Sequence, residues 1–90
     1  MTLPPSVTLS PEVMSRQVAT ETVLLDLASG TYYGLDEVGT RIWLLLGEGK
    51  TPTQVRDILR DEYEAGEEQL EADIGRLLDE LRDRGLITVP

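Results

Sequence analysis

The hydrophobic residues of this chain follow two different periods. Over residues 21–35 they form two short runs on either side of a Ser-Gly pair, a pattern that predicts a β-hairpin. From residue 36 onward they recur every three or four positions, which predicts amphipathic helices. Alternation at Val7 to Leu9 and an apolar tail at Leu86 to Val89 mark candidate short strands. The pattern therefore predicts an α+β fold, in which a small antiparallel sheet or hairpin is followed by three helices.

The register of the predicted hairpin depends on how many residues its loop contains. A three-residue loop over 28–30 pairs Leu25 with Tyr33 and Val23 with Leu35. This arrangement gathers the apolar side chains on one face, whereas a two-residue loop does not. We therefore predict the three-residue loop.

Capping and breaking residues mark the ends of the three helices. Asp36 can cap the first helix, and Gly47 stops it. Thr51 caps the second, with a proline at the first helical position. The third helix begins at Glu67 and ends at Gly85. Three compact helices with small β elements also describe winged helix-turn-helix domains, and this is a likeness of shape only.

The length and the charge narrow the possible roles. A chain of 90 residues with 40% hydrophobic content predicts one small domain spanning residues 1–90, with residues 1–6 flexible. Asp and Glu number 17 against 8 Lys and Arg, so the net charge is −9. Because duplex binding draws on Lys and Arg, nucleic acid is a poor default partner. A winged-helix DNA-binding regulator stays as the alternative from a different functional class.

The residue types also limit the chemistry available to this chain. It has no cysteine and no histidine, which removes thiol and imidazole nucleophiles and every Cys/His metal site. Its carboxylates lie on polar helix faces, and no phosphate-binding glycine loop is present. We expect no catalytic residue, no metal and no cofactor. With neither a long apolar run nor a signal peptide, the chain is expected to be soluble and cytoplasmic.

The second strand of the hairpin is the most informative segment. Residues 31–35 hold two of the four aromatic residues and carry no charge. At a sheet edge this strand would lack the Lys or Pro that usually blocks pairing, and it could accept an extended peptide as an added strand. The alternative is that Tyr33 and Leu35 are ordinary core residues.

An ordered set of residues resembles the PqqD-like family. The set comprises the turn glycine Gly30, the paired tyrosines 32–33, Leu35-Asp36 before the first helix, and Gly39 and Ile42-Trp43 within it. The resemblance extends over residues 7–89. It implies a small winged-helix-like domain, a recognition element that binds the leader segment of a ribosomally made precursor peptide. In the family the leader adds as a β-strand and lies against the third helix.

By this resemblance, the peptide-binding residues come from the hairpin and from the third helix. Val23 and Leu25 would share the apolar floor with Tyr33 and Leu35. The hairpin residues are Val23, Leu25, Thr31, Tyr32, Tyr33, Gly34 and Leu35. The residues of the helix wall are Leu70, Asp73, Ile74, Arg76 and Leu77.

The resemblance also suggests a pathway. A chain that starts at its own Met and has no fused catalytic domain resembles the free-standing leader-binding proteins of lasso-peptide biosynthesis. The implied partners are the precursor leader peptide, a separate leader peptidase of the cysteine-protease type and an ATP-dependent cyclase, with no nucleic acid and no membrane. The alternative within the family is a chaperone for the pyrroloquinoline quinone precursor, or for another class of modified peptide.

Overall fold

The computed structural model describes residues 3–90. Met1 and Thr2, which belong to the segment expected to be flexible, lie outside the described residues, while Leu3 packs against the core. The elements follow in the order β1 (Thr8–Leu9), β2 (Val13–Val18), β3 (Glu21–Asp26), β4 (Thr31–Leu35), α1 (Glu37–Gly47), α2 (Pro52–Tyr63), α3 (Glu67–Asp83) and β5 (Ile87–Thr88). The predicted α+β order, with small strands before three helices, is confirmed.

The strands form two antiparallel groups. Strands β2, β3 and β4 make a three-stranded sheet in that order, while the short strands β1 and β5 pair with each other. The hydrophobic pattern of the sequence predicts no element at β2. Its segment shows no alternation of burial, because only Val13 is partly buried and the other five residues are exposed. A strand without a buried face leaves no hydrophobic period to detect.

The predicted register of the hairpin is wrong by one residue. Leu24 lies opposite Tyr33 and Thr22 lies opposite Leu35, so the loop between β3 and β4 has four residues, 27–30. Because side chains alternate along a strand, this shift moves the partners of β4 to the other face of β3.

The side chain of Asp26 organises the longer loop. Its carboxylate accepts hydrogen bonds from the backbone N–H of Ala28, at 3.1 Å, and from the hydroxyl of Ser29, at 2.8 Å. The N–H of Gly30 donates to the Asp26 carbonyl at 2.7 Å, with Gly30 at φ +74°. Asp26 is therefore buried on the core face of β3, and both of its carboxylate oxygens have hydrogen-bond partners. A prediction that considers only apolar residues does not place an aspartate on this face.

The sheet has one face against the helices and one face away from them. The inner face carries Thr22 and Leu24 from β3 and Leu35 from β4, all buried. The outer face carries Val23 and Leu25. The prediction that Val23 and Leu25 share a face with Tyr33 and Leu35 is therefore wrong.

The helices lie on the inner side of the sheet, with α1 packed directly against β3 and β4, and they begin where the sequence predicts. The Asp36 carboxylate accepts from the Gly39 N–H at 2.8 Å to cap α1. Thr51 and Gln54 form a reciprocal capping box at the start of α2. The core is built from strands β3, β4 and β5 and from all three helices. Its buried apolar residues are Leu24, Leu35, Ile42, Trp43, Leu45, Leu46, Val55, Leu59, Leu70, Ile74, Leu78, Leu81, Leu86 and Ile87.

Candidate functional site

A cavity of about 380 Å³ lies between strand β4 and helix α3, and we call it the groove. One wall is strand β4, the floor is the start of α1, and the other wall is α3. Its lining residues are Tyr33, Gly34, Leu35, Asp36, Val38, Gly39, Ile42, Asp73, Arg76, Leu77 and Glu80.

Strand β4 borders the groove with an open edge, since it is the last strand of its sheet. The N–H of Leu27 donates to the Glu12 carbonyl at 2.9 Å, which shows that odd-numbered residues of β3 direct their backbone groups toward β2. Even-numbered residues of β3 then bond to β4, and along β4 the backbone groups of Tyr32 and Gly34 point to the free edge. These two residues can therefore pair with an added strand.

The bottom of the groove is apolar. Leu35 and Ile42 are 4% and 2% exposed, and Val38 and Leu77 are partly buried above them. Val38 and Ile42 are one turn apart on α1, so the Asp36 cap that fixes the start of this helix also positions them. Apolar side chains of a bound peptide would be removed from water at this floor.

A contact between β4 and α3 closes one end of the groove. The Tyr33 hydroxyl donates a hydrogen bond to the Glu80 carboxylate, and the Arg84 guanidinium lies 4.7 Å from the centre of the Tyr33 ring. Burial and the hydrogen bond to Glu80 raise the pKa of Tyr33 above its usual 10.0. The phenol is therefore held neutral as a donor, and its ring is fixed between the strand and the helix.

The rim along α3 carries charge. Arg76 and Asp73 form an ion pair of 3.1 Å, and the Gln69 amide donates to the same carboxylate at 2.9 Å. The lining includes three acidic residues, Asp36, Asp73 and Glu80, and one basic residue, Arg76. The groove thus combines an apolar floor with an acidic rim, which disfavours an acidic peptide.

The structure places half of the predicted site residues in this groove. They are Tyr33, Gly34, Leu35, Asp73, Arg76 and Leu77. Their contact with a peptide stays a prediction.

The other six predicted residues lie elsewhere. Val23, Leu25 and Tyr32 belong to the outer face of the sheet, and Thr31 is exposed at the start of β4. Leu70 and Ile74 are 5% and 1% exposed and belong to the core, because their side of α3 faces the other helices rather than β4. Tyr32 still borders the open edge through its backbone.

Five residues that line the groove were not predicted from the sequence as site residues. They are Asp36, Val38, Gly39, Ile42 and Glu80. The spacing of Val38 and Ile42 indicated a buried helical face, but nothing in it separated the core from a groove floor. Glu80 lies one turn beyond Arg76 on α3. The helical period, counted from Arg76, was therefore the one sequence signal that could have indicated Glu80 as a groove residue.

Neither a metal centre nor a membrane span is apparent in residues 3–90. No group of three or more Asp or Glu side chains among these residues is arranged to hold a metal ion. Within the same range, no helix is long and apolar enough to cross a membrane.

Comparison with known proteins identifies the family of this chain. The family model for coenzyme PQQ synthesis protein D (PqqD) matches residues 21–87, which include β3, β4 and all three helices. The chain belongs to the PqqD family. No curated protein matches the sequence.

Two solved structures resemble this PqqD-family chain closely. One is TbiB1 in complex with the TbiA(beta) leader peptide: it shares 41% identity at a TM-score of 0.86, covering 89% of this chain and 93% of TbiB1. The other is a lasso peptide synthetase B1 complexed with the leader peptide: it shares 32% identity at a TM-score of 0.84, covering 92% of this chain and 98% of the other. At 41% and 32% identity, the two structures resemble this chain in amino-acid sequence as well as in fold.

Proposed function

We propose that this chain binds the leader segment of a precursor peptide in lasso-peptide biosynthesis, and that the leader adds as a strand to β4. The observation that carries the proposal is the open edge of β4 alongside the groove on α3. Two similar proteins, 41% and 32% identical, are known in complex with leader peptides, which supports the same ligand class here.

In this proposal, backbone hydrogen bonds and the burial of apolar side chains both contribute to recognition of the leader. The free backbone groups of Tyr32 and Gly34 hydrogen-bond the leader and hold it extended. Leader side chains opposite Tyr33 and Leu35 enter the groove, because residues directly opposite each other on paired strands point to the same face. The apolar floor accepts a hydrophobic anchor, and the acidic rim favours neutral or basic neighbours.

The chemistry of the pathway belongs to other proteins in this proposal. The chain has neither the cysteine nor the histidine of a thiol protease. We propose that it acts without catalysis, in the cytoplasm, and presents the bound leader to a separate leader peptidase of the cysteine-protease type and to an ATP-dependent cyclase.

One alternative ligand within the family has support. The matching family model is described as coenzyme PQQ synthesis protein D, which favours a pyrroloquinoline quinone precursor. The 41% identity to a protein bound to the TbiA(beta) leader favours the lasso class instead. Both ligands would use the same edge and groove.

A pair of substitutions at one glycine tests strand addition. Gly34→Pro removes an N–H from the free edge and leaves the hydrogen bonds between β3 and β4 in place. Gly34→Ala is the matched control, because a Cβ at this position meets nothing within 4 Å and the N–H is retained. We expect Gly34→Pro to weaken leader binding about tenfold or more, since a lost hydrogen bond of about 1.4 kcal/mol has this effect. Gly34→Ala should bind like the wild type.

The measurement is fluorescence anisotropy with labelled leader peptides, including the TbiA(beta) leader and a pyrroloquinoline quinone precursor. The proposal is supported if a lasso leader binds saturably, Gly34→Pro weakens this binding and Gly34→Ala does not. Preference for the quinone precursor would reassign the ligand. Tight duplex DNA binding in a mobility-shift assay, with no leader bound, would overturn the proposal.

A further inference from the structure

Strand β2 is the second free edge of the three-stranded sheet. It lies at the opposite end of the sheet from β4, and among residues 3–90 no strand pairs with its other side. It spans six residues, Val13–Val18, and contains neither the Lys nor the Pro that usually blocks pairing at an edge. An unblocked edge of this length can pair with a further strand.

The backbone groups of β2 show which residues would make that pairing. Even-numbered residues of β2 bond to β3, so its odd-numbered residues direct their backbone groups outward. The Val13 N–H already donates to the Ser10 carbonyl at 3.3 Å. The Val13 carbonyl and the N–H groups of Ser15 and Gln17 are therefore the groups that an added strand would use.

The side chains of β2 are complementary to themselves in one antiparallel register. When Met14 lies opposite Met14 of a second copy, Glu12 of each copy lies opposite Arg16 of the other. Two opposite-charge pairs then flank the two-fold axis. A register centred on Arg16 would place two guanidinium groups opposite each other, and one centred on Ser15 would place Glu12 opposite Val18. A two-fold interface requires a self-complementary patch, and only the Met14-centred register of these three provides one.

A cavity beside β2 can receive an inward side chain of the second copy. It has a volume of about 490 Å³ and lies between β2 and α1. In the Met14-centred register, Val13 of the second copy lies opposite Ser15 and points to the same side of the sheet, toward this cavity. Leu44 lines the cavity and is 38% exposed, so the contact would remove apolar surface of both residues from water.

The net charge of the chain is compatible with this contact in the presence of salt. Although the chain carries −9, residues 8–19 contain one Glu and one Arg, so the charge of this edge sums to zero. Repulsion between more distant acidic groups is screened beyond about 10 Å at about 0.1 M salt. Self-pairing is therefore expected at physiological ionic strength rather than in salt-free water.

We infer that β2 is an interface between two copies of this chain, which pair their β2 strands in antiparallel orientation about Met14. The two three-stranded sheets then join into one sheet of six strands. This inference does not depend on the proposed function. It leaves β4 of each copy at an outer end of the joined sheet, so a dimer keeps both grooves open.

The first test uses disulfide cross-linking. The chain has no cysteine, so a variant with one cysteine can form a disulfide only between copies. Met14→Cys places two thiols opposite each other at a Cα separation of about 4.5 Å, within the range for a disulfide. Val18→Cys is the matched control: Met14 and Val18 are 58% and 57% exposed, but the two Val18 positions lie about 27 Å apart in this register. With oxidised glutathione, we expect a disulfide-linked dimer from Met14→Cys and a monomer from Val18→Cys.

The second test exchanges the charges of the predicted pair, and sedimentation equilibrium measures the dimer. Arg16→Glu alone places two pairs of carboxylates opposite each other, and Glu12→Arg alone places two pairs of guanidinium groups there. Each single variant should raise the dissociation constant about tenfold or more, and the double variant should restore it. Circular dichroism checks that each variant is folded, and leader affinity should stay at the wild-type value because β2 lies two strands away from the leader edge.

Four results would overturn the inference. They are a wild type that stays monomeric up to its highest soluble concentration, equal cross-linking of Met14→Cys and Val18→Cys, dimerisation of Arg16→Glu with the wild-type dissociation constant, and a dimer that saturating leader peptide dissociates. The last result would place the dimer contact on the β4 edge instead. Because leader binding is measured separately, none of these results would reject the proposed function.

Discussion

The hydroxyl of Tyr33 on β4 donates a hydrogen bond to the carboxylate of Glu80 on α3, 47 residues later in the chain. The same ring lies against the Arg84 guanidinium. These contacts tie the edge strand to the helix that faces it, at one end of the groove. They fix the separation of the two walls between which the leader is proposed to lie.

The Tyr33 contact predicts a specific response to alkaline pH. Burial and the bond to Glu80 raise the pKa of Tyr33, so the folded state favours the neutral phenol. Its contribution to stability is present below the usual value of 10.0 and is lost as pH rises through the raised pKa. Phenol ionisation is followed by absorbance near ~295 nm in the wild type and in Tyr33→Phe, and the difference between the two titration curves reports Tyr33. The midpoint of this difference curve should lie above the usual pKa of 10.0. A midpoint at or below it would contradict the contact.

A charge on the apolar wall of the groove should weaken leader binding. Leu77 is partly buried on the α3 wall, so Leu77→Asp places a carboxylate where a leader side chain would be buried. We expect a loss of about tenfold or more, equivalent to about 1.4 kcal/mol, in leader titrations. Ala72→Asp is the control, because it adds the same charge at an exposed position of the same helix. Equal losses in both variants would point to net charge rather than to the groove.

Replacing Thr22 by valine should stabilise the fold. Thr22 is 3% exposed and its hydroxyl has no hydrogen-bond partner among the described residues. An unpaired buried hydroxyl costs about 1–3 kcal/mol, and valine has nearly the same shape without it. We expect Thr22→Val to raise the free energy of unfolding by about 1 kcal/mol in urea titrations. Thr31→Val should give no gain, because the Thr31 hydroxyl is 2.7 Å from that of Ser29.

The ion pair between α1 and α2 should contribute to stability only above acid pH. Arg41 donates two hydrogen bonds to Glu62, at 3.0 and 2.7 Å, and this interaction lowers the pKa of Glu62. The stabilisation is therefore present above the usual value of 4.5 and is lost as pH falls through the lowered pKa. Both side chains are about a third exposed, so solvent screening limits the pair to about 0.2–1 kcal/mol.

Arg41→Met keeps the aliphatic stem and removes the charge. Its unfolding free energy should fall below that of the wild type near ~pH 7 and match it near ~pH 2, where carboxylates are protonated. A difference of the same size at both pH values would indicate a packing effect.

The helices were predictable because their signals are local. Asp36 caps α1 and Thr51 caps α2 as the sequence predicted, and each cap bonds to a residue three positions later. The edge strand over residues 31–35 was also recognised, from its aromatic and uncharged composition. These features depend on near neighbours in the chain, so the sequence by itself determined the three helices, their limits and the strand that borders the site.

The faces of the sheet were decided by the tertiary structure. Asp26 bonds to its own loop and so lengthens the hairpin connection by one residue, which turns Val23 and Leu25 away from Tyr33 and Leu35. Strand β2 forms without a hydrophobic pattern, because its pairing with β3 supplies the backbone partners. The groove floor follows from how α1 and α3 pack against β4. These outcomes depend on contacts between residues distant in the chain, and a slip of one residue reverses which side chains reach the core.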